Sequence, residues 1–210
     1  MNHIKTCFSI TLDSKFGALI IEGPVVYEKL KGYDFHAGLT AFRKPEEQFE
    51  AILEIAQLPE GRIILARDQE TIVGYATFLF PDPMERWSEE NMDNLLELGA
   101  IEVAPEYRNL SLSQKILEVS MMDDAMNDYI VITTEYYWHW DLKSTGLNVW
   151  QYRDLMEKTM SAGGLEWYAT DDEEIASHPA NCLMARIGSR IDLESIQKFD
   201  RLRFKYKYRY

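Results

Sequence analysis

Apolar residues recur along this chain at two periods, and the changes of period divide it into elements. Residues 17–23 (GALIIEG) form a short apolar run between glycines with β-branched Ile20 and Ile21, the pattern of a buried strand. Pro24 closes that run and opens a short helix to about Lys31. From Pro45 the period becomes helical, with Phe49, Ile52, Leu53 and Ala56 at i, i+3, i+4 and i+7, until Pro59 and Gly61 end it. Residues 61–67 (GRIILAR) and 71–80 (TIVGYATFLF) then read as the two strands of a hairpin, joined by Asp68, Gln69 and Glu70. Residues 84–94 (MERWSEENMDN) are acidic and weakly helical, and are expected on the surface rather than in the core.

A strand through Ile101 and Val103 turns at Pro105 and gives way to a helix carrying Leu112, Ile116, Leu117, Met121 and Ala125 at helical spacing. Residues 129–137 (YIVITTEYY) are dense in β-branched and aromatic types and predict a strand. Residues 148–162 predict an amphipathic helix stopped by Gly163 and Gly164, with Leu155 and Thr159 on one side and Tyr152, Met156 and Met160 on another. A further strand is expected over 165–170. After it come a turn-and-helix segment containing SHPAN (177–181), with Gly188 as its C-cap, and a last helix from Asp192 to about Arg203. The alternation of strands and helices predicts an α/β fold with a mixed sheet. No repeat or low-complexity linker interrupts it, so residues 1–210 are expected to form one domain, with a core over about 17–170 and a C-terminal helical extension over about 171–210.

Composition narrows the partners. Apolar residues make up 46% of the 210, enough for a real core, and 22 basic against 35 acidic residues leave a net charge of −13, which repels nucleic acid. Positive charge gathers at the end, where Arg201, Arg203, Lys205, Lys207 and Arg209 alternate with Leu202, Phe204, Tyr206 and Tyr208 at the period of a solvated terminal strand. The first residues lead into no signal-like run and no apolar segment approaches a membrane span, so a cytoplasmic protein with no membrane partner is expected. Cys7 and Cys182 lack a CxxC arrangement and read as structural thiols; no metal is expected, and no HExxH, GxSxG or Walker pattern occurs.

The chemistry concentrates between the strand through Ile101 and the helix after it. Arg108, Asn109, Leu110, Ser111, Leu112 and Ser113 form a polar turn at a helix N-terminus, the place where backbone amides bind phosphate readily. The run from Val103 to Ser113, VAPEYRNLSLS, resembles the V-x-P-x-Y-R-x-x-G-x-G/A signature of the GNAT (Gcn5-related N-acetyltransferase) family, and the order of elements is similar to the GNAT fold. The resemblance implies that this turn holds the pyrophosphate of acetyl-CoA. The chain departs from the signature in carrying Ser111 and Ser113 where the family has small glycine or alanine positions. Longer segments, PDPMERWSEENMDNLLELGAIEV, LEVSMMDDAMNDYIVITTEYYWHWDLK and SHPANCLMARIG, look like those of the acetoin-linked members of the family. That wider likeness implies a protein lysine acetyltransferase whose partner is acetyl-CoA synthetase, acetylated on its active-site lysine and switched off.

A lysine amine, with a pKa of about 10.4, must lose a proton before it attacks a thioester, so a carboxylate base is required. Glu97 lies eleven residues before Arg108, the offset that the resemblance assigns to the base of histone-type members, while Glu102 lies nearer the turn. A bulge at Gly99 and Ala100 would bring both to one side of the strand. Glu135 on the following strand is a third candidate, and Ile101 to Val103 could present a backbone amide to an oxyanion. Tyr152 is available to protonate the departing thiolate, and His178 stands as a base, acid or orienter of the substrate lysine. The aromatic run from Tyr136 to Trp140 reads as core and loop packing, or as a peptide-binding wall. Two other functions remain open: a non-catalytic module that regulates the synthetase by binding it, and acetylation of a small amine.

Overall fold

The computed structural model describes residues 1–205. They fall into two compact units, one of Met1–Phe80 with Leu98–Met126, the other of Pro81–Glu97 with the residues from Asn127 onward. The first unit begins with β1 (Phe8–Ser14) and β2 (Gly17–Gly23), an antiparallel hairpin followed by a short helix α1 (Tyr27–Leu30), the two-residue β3 (Asp34–Phe35) and helix α2 (Pro45–Gln57). Next come β4 (Arg62–Asp68) and β5 (Thr71–Leu79), the hairpin expected from the sequence. All seven inner residues of β5 are buried, Thr77 included, as in a strand covered on both faces. β1 was not anticipated, although FSITLDS alternates, and its alternate residues are indeed exposed as an outermost strand requires.

β6 (Leu95–Val103) crosses from the second unit into the first and leads to helix α3 (Leu112–Ser120). In the first unit the strand order is β1-β2-β4-β5-β6, with β3 parallel to β5, and α3 buries Leu112, Ile116, Leu117 and Val119. The helix stops five residues short of the expected Ala125. Asp123 accepts from the amide of Ala125 at 3.1 Å, a local turn that competes with helix.

The second unit holds β7 (Ile130–Glu135), α4 (Leu142–Thr145), α5 (Val149–Ser161), β8 (Glu166–Tyr168), α6 (Glu173–Ala176), β9 (Cys182–Ile187) and α7 (Leu193–Arg203). Its strand order is β6-β7-β9-β8: the first three residues of β6 pair in parallel with β7, and β9 is antiparallel to both of its neighbours. A helical reading of CLMARI gives way here to a strand, because Leu183, Met184 and Ala185 are buried between two ladders whose pairing outweighs helix propensity. The acidic excursion also differs from expectation. Trp87 and Met92 are buried with Leu95, Ile130, Ile132, Ile175, Phe199 and Leu202 in the core of this unit. Arg201 and Arg203 lie in α7 rather than in a strand, and residues 206–210 of the basic alternation lie outside the described residues. Both cysteines are free thiols, and no helix among the described residues is long and apolar enough to cross a membrane.

Candidate active site

In the first unit β5 and the end of β6 approach closely at Gly74, where a Cβ would lie 3.2 Å from the Glu102 carbonyl oxygen and from Val103 Cγ2. The amide of Ala104 donates to the Val73 carbonyl at 2.9 Å, and a single 3-10 turn over Pro105–Tyr107 follows. Tyr107 pins that turn. Its ring is buried 4.5 Å from the ring of Phe16 and 5.9 Å from His36, and its hydroxyl donates to Asp68 Oδ2 at 2.8 Å. Burial, and then the Asp68 carboxylate, push this phenol up to about 12.

Beyond Tyr107 the chain takes two left-handed residues, Asn109 at φ 68° and Ser111 at φ 56°. Asparagine tolerates that region well, whereas serine has no such advantage. The signature's first glycine thus corresponds to a left-handed residue, and Ser111 bears a backbone cost there. Ser113 lies within α3 in ordinary helical conformation, so its departure carries no such cost. Replacing Ser111 with glycine is expected to stabilise the protein by about 1 kcal/mol, the lower end of the cost of a left-handed non-glycine residue, measured as a higher urea midpoint. The first bond of α3 runs from the amide of Lys115 to the Ser111 carbonyl at 3.0 Å. The amides of Leu112, Ser113 and Gln114 therefore have no acceptor one turn back, and Ser111 makes no side-chain cap. An exposed turn ending in such amides fits a diphosphate. Arg108 and Leu110 are partly buried beside it, and so are Ile101 and Val103 on the preceding strand.

Glu102 belongs to the same unit, but both of its oxygens are engaged there. Oε1 accepts from the amide of Ala41 at 2.7 Å and Oε2 from the Tyr75 hydroxyl at 2.9 Å, in a buried position that fastens the chain ahead of α2 to β6.

Glu97 lies in the second unit, on the short parallel ladder of Leu95, Leu96 and Glu97 with Ile130, Val131 and Ile132. Strand alternation puts it on the same side as the core residue Leu95. Burial raises its carboxyl to about 7, with Glu85 and Asp82 contributing. Glu85 is itself raised, by burial first and then by Asp82, Glu174 and Asp172. Sequence pattern does not reveal this company, because Glu85 lies in the acidic run 84–94, whose charge predicts a surface position, and Asp82 just ahead of it.

Glu135, at the end of β7, is a second carboxyl raised to about 7, by a burial that outweighs the donors of Trp140 and Thr133. Trp140 Nε1 donates to its Oε2 at 3.1 Å, and the same indole stacks on Tyr152 of α5 at 5.2 Å and 19°. Opposite Glu135 in the ladder, the Cys182 thiol is pushed up to about 12 by burial and by that carboxylate. His178 sits in the same unit with its ring 4.2 Å from Tyr137 and 6.3 Å from Trp150. Its Nδ1 accepts from the amide of Ala180 at 3.1 Å, so a neutral imidazole here carries its proton on Nε2. Glu97, Glu135 and His178 are therefore residues of the second unit, whereas Glu102 and the turn over 108–113 are residues of the first.

Comparison with known proteins bears on both halves. The acetyltransferase (GNAT) family matches residues 27–141. The acetoin utilization protein AcuA of Bacillus subtilis (strain 168) is 62% identical over 210 residues, covering all of both chains. The AcuA of Bacillus licheniformis is 60% identical over the same full length. The crystal structure of an acetoin utilization protein from Exiguobacterium sibiricum 255-15 superposes with a TM-score of 0.94 at 56% identity, covering 98% of this chain and 97% of that one.

Proposed function

The chain belongs to the acetyltransferase (GNAT) family, and we propose that this N-acetyltransferase, linked by its relatives to acetoin utilisation, moves the acetyl group of acetyl-CoA to the side-chain amine of a protein lysine. Its substrate in this reading is acetyl-CoA synthetase, which acetylation switches off, and it acts in the cytoplasm. The observation that carries the chemistry is Glu97 of β6, a carboxyl raised by burial to about 7.

A base at about 7 accepts a proton near neutral pH far better than an ordinary carboxylate. Asp82 and Glu85, close enough to raise Glu97, also favour the approach of an ammonium group. Glu97 takes the proton from the lysine, and the neutral amine is then the nucleophile. Glu102 holds the chain around Ala41 in place through its two occupied oxygens, and His178, donating from Nε2, orients rather than deprotonates. When bound, acetyl-CoA would supply the thioester carbonyl that the amine attacks; the amide C–N bond forms as the C–S bond breaks, and coenzyme A would leave as a thiolate that takes up the second proton given up by the amine. The amides of Leu112, Ser113 and Gln114, with Arg108, Asn109, Leu110 and Ser111 around them, hold its diphosphate, and Ile101 and Val103 border its acyl end.

Arg108→Ala is expected to weaken acetyl-CoA binding by about 1.5 to 3 kcal/mol, the value of a hydrogen bond to a charged group; titration calorimetry reads it, and unchanged affinity removes Arg108 from the cradle. The function itself is tested by incubating the protein with the synthetase and labelled acetyl-CoA. Label on one synthetase lysine, rising in step with loss of synthetase activity, is the expected result. Inhibition without label establishes regulation by binding instead, and label on a small amine alone replaces the protein substrate.

A further inference from the structure

The aromatic run after β7 does more than fill core. Tyr136 and Trp138 stack at 4.9 Å and 21°, Trp138 meets Tyr137 edge-on at 5.4 Å, and Tyr137 continues through His178 to Trp150. The two indoles at the ends of this row are open to solvent, Trp138 at 45% and Trp150 at 51%. The turn beneath is held rigid. Asn181 Oδ1 accepts from the amide of Tyr137 at 3.0 Å and its Nδ2 donates to the Glu174 carbonyl at 3.1 Å, while Arg153 donates to the Pro179 carbonyl at 2.9 Å. Two half-exposed tryptophans on a fixed frame have the composition of an interface hot spot, since little entropy is lost when a partner covers them.

Charge says what would cover them. The Tyr136 phenol is raised to about 12 by burial and by Asp172, Glu174 and Glu85. Of the acids in this group, Asp172 is paired with Arg86 at 3.1 Å, and Asp171 with the same guanidinium at 2.7 Å. Glu85 is raised by burial first, with Asp82 and Glu174 adding to it. These carboxylates act at the Tyr136 end of the row, whose ring stacks on Trp138, while Arg153 lies at the Trp150 end; at the Trp138 end a cation is attracted both through the ring quadrupole and through charge. A chain at −13 has that preference at long range as well.

We propose that the row from Trp138 to Trp150 is the docking surface for the polypeptide that carries the acceptor lysine, and that it selects a basic segment, with arginine or lysine side chains lying on the two indoles. This rests on the protein-lysine reading above and adds to it the sequence context of the acceptor.

The test uses the full chain and short fluorescein-labelled peptides with one central lysine, flanked by arginines, serines or glutamates. Fluorescence anisotropy is expected to show the arginine peptide binding at least about tenfold more tightly than the glutamate peptide, with the difference shrinking as salt rises. Trp138→Ala with Trp150→Ala is expected to remove about tenfold of the affinity for the arginine peptide, a hot-spot-sized loss, and to leave the KM for acetyl-CoA in place. Trp138→Leu with Trp150→Leu keeps apolar area but no ring, and losing the arginine preference in that variant supports the cation-binding role even if the alanine pair folds poorly. Equal binding of the three peptides, or undiminished binding by both double variants, overturns the proposal, as does a variant that raises only the KM for acetyl-CoA. Labelled transfer on the same peptides separates the two readings. Binding with arginine preference but no acetylation defeats the lysine acetyltransferase reading and leaves the surface standing, whereas acetylation indifferent to the flanks defeats the surface alone.

Discussion

If Glu97 is the base proposed above, Glu97→Gln is expected to lower kcat by about 10²- to 10⁴-fold, the usual contribution of a general base, without raising the KM for acetyl-CoA. The wild-type pH profile carries the more specific signature. With the carboxyl at about 7, kcat/KM rises with pH below that value and shows an inflection near it, which the glutamine variant lacks. Stability moves the opposite way. The unfolded carboxyl titrates near 4.5 and the folded one near 7, so between those values the folded state holds a proton that the unfolded state has released. Folding stability attributable to this group therefore falls as pH rises from about 4.5 to about 7 and stays lowered above it. Glutamine removes that penalty. The variant is expected to be far less active yet more resistant to urea than the wild type at pH 8, with the advantage vanishing at pH 4. An inflection near 7 that survives in Glu97→Gln and disappears in Glu135→Gln transfers the base to Glu135, the other carboxyl raised to about 7.

The two halves of this assignment were unequally visible in the chain. The turn over 108–113 was legible as a turn because its demands are local: a proline-led turn, an arginine, two residues in the left-handed region and a helix N-terminus all fall within Pro105 to Leu112. The position of Glu97 was legible as an offset from Arg108, but its chemistry was not. The acids that help to raise it come from a segment twelve and more residues earlier, whose charge hid the burial of Trp87 and Met92. Glu102 stood as well as Glu97 on sequence grounds. What separates them is the pair of donors from Ala41 and Tyr75, partners that strand periodicity does not reveal. β9 shows the same limit in the backbone, since CLMARI has helix-forming residues and becomes a strand only through the ladders on either side.

Long-range pairing also decides the largest expected loss of stability. In the first unit Arg62 Nη1 donates to Asp123 Oδ2 at 2.7 Å across 61 residues of sequence, with side-chain exposures of 1% and 2%. Asp123 further accepts from the amides of Thr6 at 3.0 Å and Ala125 at 3.1 Å, and Arg62 Nη2 donates to the Ile4 carbonyl at 2.5 Å. The pair thereby ties the segment ahead of β1 and the turn after α3 to the start of β4. Asp123→Ala leaves a guanidinium in the core without its counter-charge, and is expected to cost about 3 to 5 kcal/mol in urea unfolding. Most of that cost is the stranded charge, not the worth of the bond. Arg62→Met combined with Asp123→Leu removes both charges and keeps the volume filled, so it is expected to be more stable than either single change. A double variant as unstable as the sum of the two singles would assign the loss to packing and to the amides of Thr6 and Ala125. A double variant near wild-type stability would show that α3, and with it the turn over 108–113, is positioned by the shape of this core and does not need its ion pair.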